Sequence, residues 1–207
     1  MLYNILFEGL SSNKNASILG RILASINTLE GIHDYCKKNF TFIGYGNSRA
    51  VYNTGFGFVV KVSRRHGVIN QNKIELERKR DCLDDRFFAK IYSYDKVNFW
   101  WLISEYAEAF TDERAFIGVL VKKLQGTDEE IVRAISDNLN GSQTFSNILS
   151  DAIYTILYGG TPEFEVNQWL KDFMKSLTDC KVDPHDFHEE NWGVRQNGDL
   201  ILIDYGF

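Results

Sequence analysis

Asp186, Asn191 and Asp204 carry oxygen-bearing side chains of the types that phosphoryl transfer requires. Transfer of a phosphoryl group to a hydroxyl needs a carboxylate to orient the nucleophile and accept its proton. It also needs oxygen ligands to hold Mg²⁺ against the phosphates. Both needs are met in Asp183-Pro184-His185-Asp186-Phe187-His188-Glu189-Glu190-Asn191, followed thirteen residues after Asn191 by Asp204-Tyr205-Gly206. The plain alternative is a surface Asp, a turn Asn and a second surface Asp flanking a hairpin.

Support comes from upstream. Ile43-Gly44-Tyr45-Gly46-Asn47-Ser48-Arg49-Ala50-Val51-Tyr52 reads as strand, glycine loop, strand. Glycines let a backbone approach phosphates and aim N–H groups at them, although a lone Gly-x-Gly also occurs in ordinary hairpins. Phe58-Val59-Val60-Lys61-Val62 then places a lysine inside an apolar strand, where the ammonium needs an anionic partner. Phosphate plus a carboxylate from the following helix would supply it. Glu75 and Glu77 are the candidates, and Glu75 is preferred because it falls near the middle of that helix, on a different face from Glu77.

These groups need a scaffold. The stretch to about Asn39 reads as helical, with Ile18, Leu19, Ile22, Leu23, Ile26 and Leu29 recurring at three- and four-residue spacing. Five β-type runs follow, Phe40–Tyr45, Ala50–Tyr52, Gly57–Ser63, Phe88–Ser93 and Phe99–Glu105, and predict an antiparallel sheet. A helix over Asn70–Leu83 separates the third run from the fourth. From Thr111 the chain is mainly helical. A capping box at Thr127-Asp128-Glu129-Glu130 predicts one helix start, and Thr161-Pro162-Glu163 another. The second of these carries Val166, Trp169, Leu170, Phe173, Met174 and Leu177 on one apolar face. Trp192–Val194 and Leu200–Ile203, joined through Asn197-Gly198, predict a closing hairpin.

Composition bounds the partners. With 207 residues, 44% of them apolar, the chain can fill a core. A formal net charge of −5 gives no global field to gather nucleic acid or anionic lipid, and neither is expected as a partner. No run of about eighteen apolar residues and no export leader occurs, so a soluble, cytoplasmic protein is expected. Cys36, Cys82 and Cys180 lie far apart without ligand spacing, which gives little support to a zinc site or a disulfide framework.

Taken together, these motifs resemble the protein-kinase-like superfamily over about Phe40 to Phe207. Asp186 and Asn191 have its catalytic-loop spacing, and Asp204-Tyr205-Gly206 is similar to its metal-binding Asp-Phe-Gly. The layout is similar to the small early kinases of short-tailed bacteriophages, and Asp186-Phe187-His188-Glu189-Glu190-Asn191 equally resembles the loop of aminoglycoside and choline phosphotransferases. The resemblance implies an α+β, bilobal fold: an N-terminal helical segment over residues 1–39, a small antiparallel β lobe with one helix over 40–106, and a helical lobe with catalytic loop and terminal hairpin over 107–207. It implies ATP and Mg²⁺ as cofactors. Lys61 would contact the α/β-phosphates beneath Gly44 and Gly46, Glu75 would hold Lys61, and Asp186 would act as base. Asn191 and Asp204 would bind Mg²⁺, with His188 supporting the loop. The backbone at Glu105 and Ala107 would hydrogen-bond adenine, and Ser104 would line the back of that pocket.

Three departures from the family stand out. Arg49 replaces the usual third glycine, Pro184 stands where the family has histidine, and the chain stops just after Asp204-Tyr205-Gly206, without an activation segment or later helical subdomain. The expectation is therefore a kinase not controlled through an activation loop, acting on Ser/Thr hydroxyls of a host protein. A pseudokinase-like module that blocks a partner and a small-molecule phosphotransferase are the alternatives.

Overall fold

The computed structural model describes residues 12–46, 48–64, 70–81, 86–110, 112–127, 129, 167–182 and 189–205. They divide between two compact units, one comprising residues up to 77 together with 89–107, the other 78–88 together with 108–205.

Among its described residues the first unit begins with two helices, α1 (Ser12–Ala24) and α2 (Leu29–Asn39). The apolar spacing reads through as one helical stretch, but the backbone breaks between them. Ser25 closes α1 by directing both its N–H and its hydroxyl at the Ile22 carbonyl. Thr28, extended at φ −133° and ψ 147°, starts α2 afresh, its hydroxyl accepting from Gly31 N–H. The spacing survives the break because both helices bury their apolar faces in the same core.

That core lies against a five-stranded antiparallel sheet of order β1-β2-β3-β5-β4, made of Thr41–Tyr45, Arg49–Asn53, Phe58–Ser63, Ile91–Tyr94 (β4) and Trp101–Glu105 (β5). With helices packed around it, the fold class is α+β, as expected. Pairing register separates the two sheet faces. Ala50 opposes Val62, Tyr52 opposes Val60, and Val60 opposes Ile103. These residues, with Phe58 and Trp101, pack on Leu19, Leu23, Leu29, Ile32 and Cys36. Alternation sends Arg49, Val51, Lys61, Ser63, Leu102 and Ser104 to the other face. Gly20 allows α1 to approach closely, since a Cβ there would collide with the Ser93 hydroxyl.

Helix α3 (Gln71–Asp81) follows β3. Its buried residues are Asn72 and Glu75, so it docks by polar groups where most helices dock by an apolar stripe.

The second unit has its own core. Helix α4 (Glu113–Lys123), capped by Asp112, contributes Phe116, Ile117 and Leu120, and α5 (Gln168–Asp179) contributes Leu170, Phe173, Met174 and Leu177. A three-stranded sheet of order β6-β7-β8 (Glu108–Ala109, Trp192–Val194, Leu200–Leu202) closes over them. Trp192 is fully buried against Phe116 and Phe173 at 5.5 and 5.3 Å between ring centroids. The β7–β8 turn is as expected. Gly198 takes φ +84°, which glycine adopts without strain, and Asn197 bonds Asp199.

Other boundaries differ from the sequence reading. The strand expected from Phe88 starts at Ile91, because Phe87 and Phe88 belong to the second core, where Phe87 O accepts from Leu202 N–H at 2.8 Å. In the described residues α5 starts at Gln168. Asn167 is extended there, and its side chain accepts from Leu170 N–H while donating to the Lys123 and Gln125 carbonyls. The capping box at Thr127 and the start at Thr161 lie mostly outside the described residues. Cys36 is free and buried, whereas Cys180 is disulfide-bonded, contrary to the expectation from cysteine spacing. Separation along a chain does not limit proximity in a fold.

Candidate active site

Lys61 lies in mid-β3 with only 5% of its surface exposed. Strand alternation points it away from the α1/α2 core, toward the face on which α3 lies. There Glu75 meets it, with Lys61 Nζ 2.8 Å from Oε1 and 3.0 Å from Oε2. Glu75 is fully buried, whereas Glu77 is 53% exposed and pairs with Lys73 at 3.8 Å. Of the two carboxylates, then, the structure brings Glu75 to the lysine.

Arg49 shares the same carboxylate, its Nη1 donating to Glu75 Oε2 at 2.6 Å and to Asn72 Oδ1 at 3.3 Å. Asn72 turns its amide back on the sheet, donating to the Phe99 carbonyl at 3.0 Å and the Ser63 hydroxyl at 3.3 Å. Ser48 donates to Gln71 Oε1. The start of β2 thus holds the first turns of α3 through adjacent residues. In the sequence Arg49 registers only as a missing glycine. Its position just ahead of a buried apolar strand was the available sign that its cation would need a partner.

The glycine loop is a tight β1–β2 hairpin in which Gly46 N–H donates to the Arg49 carbonyl at 2.9 Å. Neither Gly44 nor Gly46 has a positive φ. A Cβ on Gly44 would meet nothing within 4 Å, and one on Gly46 would only touch Arg49 O at 4.0 Å. Chain geometry does not demand these glycines, and what they provide is open space above the strand. Asn47 is outside the described residues.

At the end of β5, Glu105 N–H is taken by the Lys90 carbonyl at 2.8 Å. Ala107 is 6% exposed, and Ser104 is fully buried on the Lys61 face of the sheet.

The second unit holds Asn191 and Asp204. Asn191, 6% exposed, ends the 3₁₀ turn Glu189–Asn191 and leads into β7. Its carbonyl accepts from Ile203 N–H at 2.8 Å and Asp204 N–H at 3.4 Å, which places Asn191 and Asp204 side by side. Tyr205 is buried against Phe88, and its carbonyl accepts from Arg78 at 2.6 Å. Those Asn191 contacts run through the backbone; amide and carboxylate oxygens are the donor types that Mg²⁺ takes. Among the described residues, no group of three or more His, Cys, Asp or Glu could hold a metal by itself. Asp186, His188, Pro184, His185 and Gly206 lie outside the described residues.

Among the described residues no helix is long and apolar enough to cross a membrane. No protein-family model matches the sequence, and no curated protein matches it. Among solved structures, a ternary complex of streptomycin, ATP and APH(2″)-IIa is similar at 15% identity and a TM-score of 0.41, over 87% of this chain and 71% of that one. An overlap this loose places no substrate or activity on the present chain.

Proposed function

We propose that the protein is an ATP- and Mg²⁺-dependent phosphotransferase of the protein-kinase-like type, acting on serine or threonine hydroxyls of a protein, as a phage-type kinase would on a host target. The observation that carries this reading is the buried Lys61–Glu75 pair. A buried ion pair adds little net stability, because desolvating both charges offsets their attraction. A lysine kept in the middle of an apolar strand at that cost is better explained by what its ammonium binds.

In this reading Gly44 and Gly46 leave room for the triphosphate, and Glu75 orients Lys61 toward its α/β-phosphates. The chain end of β5, at Glu105 and Ala107, receives adenine. Asn191 and Asp204 would hold Mg²⁺, which when bound neutralises charge on the phosphates. Asp186 would accept the acceptor hydroxyl's proton. A small-molecule acceptor is the second reading, favoured by the Asp186-x-His188-x-x-Asn191 pattern.

With γ-labelled ATP and Mg²⁺, label is expected in the protein fraction of a host extract, reduced about 10²-fold or more by Asp186→Ala, as for loss of a general base. Label confined to small molecules would turn the assignment to the second reading. Equal labelling by Asp186→Ala would remove Asp186 from the mechanism. A biological effect that survives Asp204→Asn would mark a binding module.

A further inference from the structure

Helix α3 presents an unusual docking face. Its buried residues, Asn72 and Glu75, are polar, and Ile74 and Leu76 are only partly buried. What seats the helix is therefore the set of polar contacts from β2 and β3. Arg49 is central to that set, being 2% exposed, 2.6 Å from Glu75 Oε2 and 3.3 Å from Asn72 Oδ1. Lys61 holds the same carboxylate through both oxygens, at 2.8 and 3.0 Å.

Two cations on one carboxylate have an electrostatic consequence. A single negative charge divided between a guanidinium and an ammonium neutralises neither fully. In a buried setting, where fields are weakly screened, the remainder favours an anion. We propose that Arg49 is a positioning residue for phosphate binding: by taking one oxygen of Glu75 it seats α3 on the sheet and leaves the Lys61 ammonium with charge to offer a nucleotide phosphate. This rests on the reading of Lys61 as the phosphate-binding lysine. The side chain that displaces the loop's third glycine thus fixes the carboxylate whose partner meets the phosphates. One guanidinium nitrogen, Nη1, reaches both Glu75 Oε2 and Asn72 Oδ1, and it is the charge it carries that the phosphate role requires.

The test compares ATP with adenosine in equilibrium titrations of the full chain. Wild type is expected to bind ATP more tightly than adenosine. Arg49→Gln keeps hydrogen-bonding capacity toward Glu75 and Asn72 but removes the charge. It should weaken ATP about tenfold while leaving adenosine within about twofold, and Arg49→Lys should restore most of the ATP affinity. Equal weakening of both ligands would reduce Arg49 to a general fold contact, and no weakening of either would remove it from the site; each result overturns the proposal. Lys61→Met separates this failure from that of the underlying reading. If Lys61→Met also leaves ATP affinity unchanged, the phosphate role of Lys61 falls, and the inference with it.

Discussion

Glu75 serves two buried cations, so substitutions around it should not be equivalent. Glu75→Gln withdraws the carboxylate from Lys61 and Arg49 at once and strands both charges, an effect of about 3–5 kcal/mol in urea unfolding. Lys61→Met leaves Glu75 paired with Arg49 and supplies apolar bulk to an apolar strand. It should cost about 1 kcal/mol or less while removing phosphotransfer. Equal stability losses for the two would show that the carboxylate is not shared. The Lys61 requirement was legible in the sequence, because an ammonium inside Phe58-Val59-Val60-Lys61-Val62 must find an anion. The choice of Glu75 over Glu77 was legible from helix position. Arg49 was not, because its residue type signals only that a glycine is missing, and the direction of its side chain follows from β2–β3 register. The place of Asp186 in the site rests on sequence, since it lies outside the described residues.

At the scale of elements, the sheet is defined by what covers each face. Helices α1 and α2 seal the apolar face, and beneath them burial pushes the Cys36 thiol up from 9.0 to about 12. The Tyr52 hydroxyl, bonded to His33, is pushed up from 10.0 to about 12, by burial first and then by the nearby Cys36, Tyr45 and Asp34. Both groups are neutral when protonated, and the folded state holds their protons to higher pH than the unfolded chain does. Their stabilisation is therefore complete below about pH 9 and drains away as pH rises toward 12. The urea midpoint should fall across that window, and fall less in Cys36→Ala. A midpoint that stays flat in wild type would mean these groups are not buried as described. Apolar spacing predicted the helices but not the break at Thr28, because both helices serve one core and the periodicity continues across the turn. The strand boundary at Phe88 escaped for a related reason: aromatic residues mark burial without saying in which core.

At the scale of the whole molecule, two compact units each hold part of the expected chemistry, Lys61, Glu75 and Arg49 in one, Asn191 and Asp204 in the other. The residues before β1 are integral to the first unit, since Leu19, Leu23 and Ile32 complete its core. The proposed function assigns phosphate binding to Lys61 and Mg²⁺ binding to Asn191 and Asp204. Calorimetric titration of ATP with and without Mg²⁺ tests it most directly, run on wild type, Lys61→Met and Asp204→Asn. Mg²⁺ should tighten ATP binding in wild type, Asp204→Asn should abolish that gain, and Lys61→Met should weaken ATP in both conditions. ATP affinity indifferent to Mg²⁺ and unchanged in both variants would contradict it.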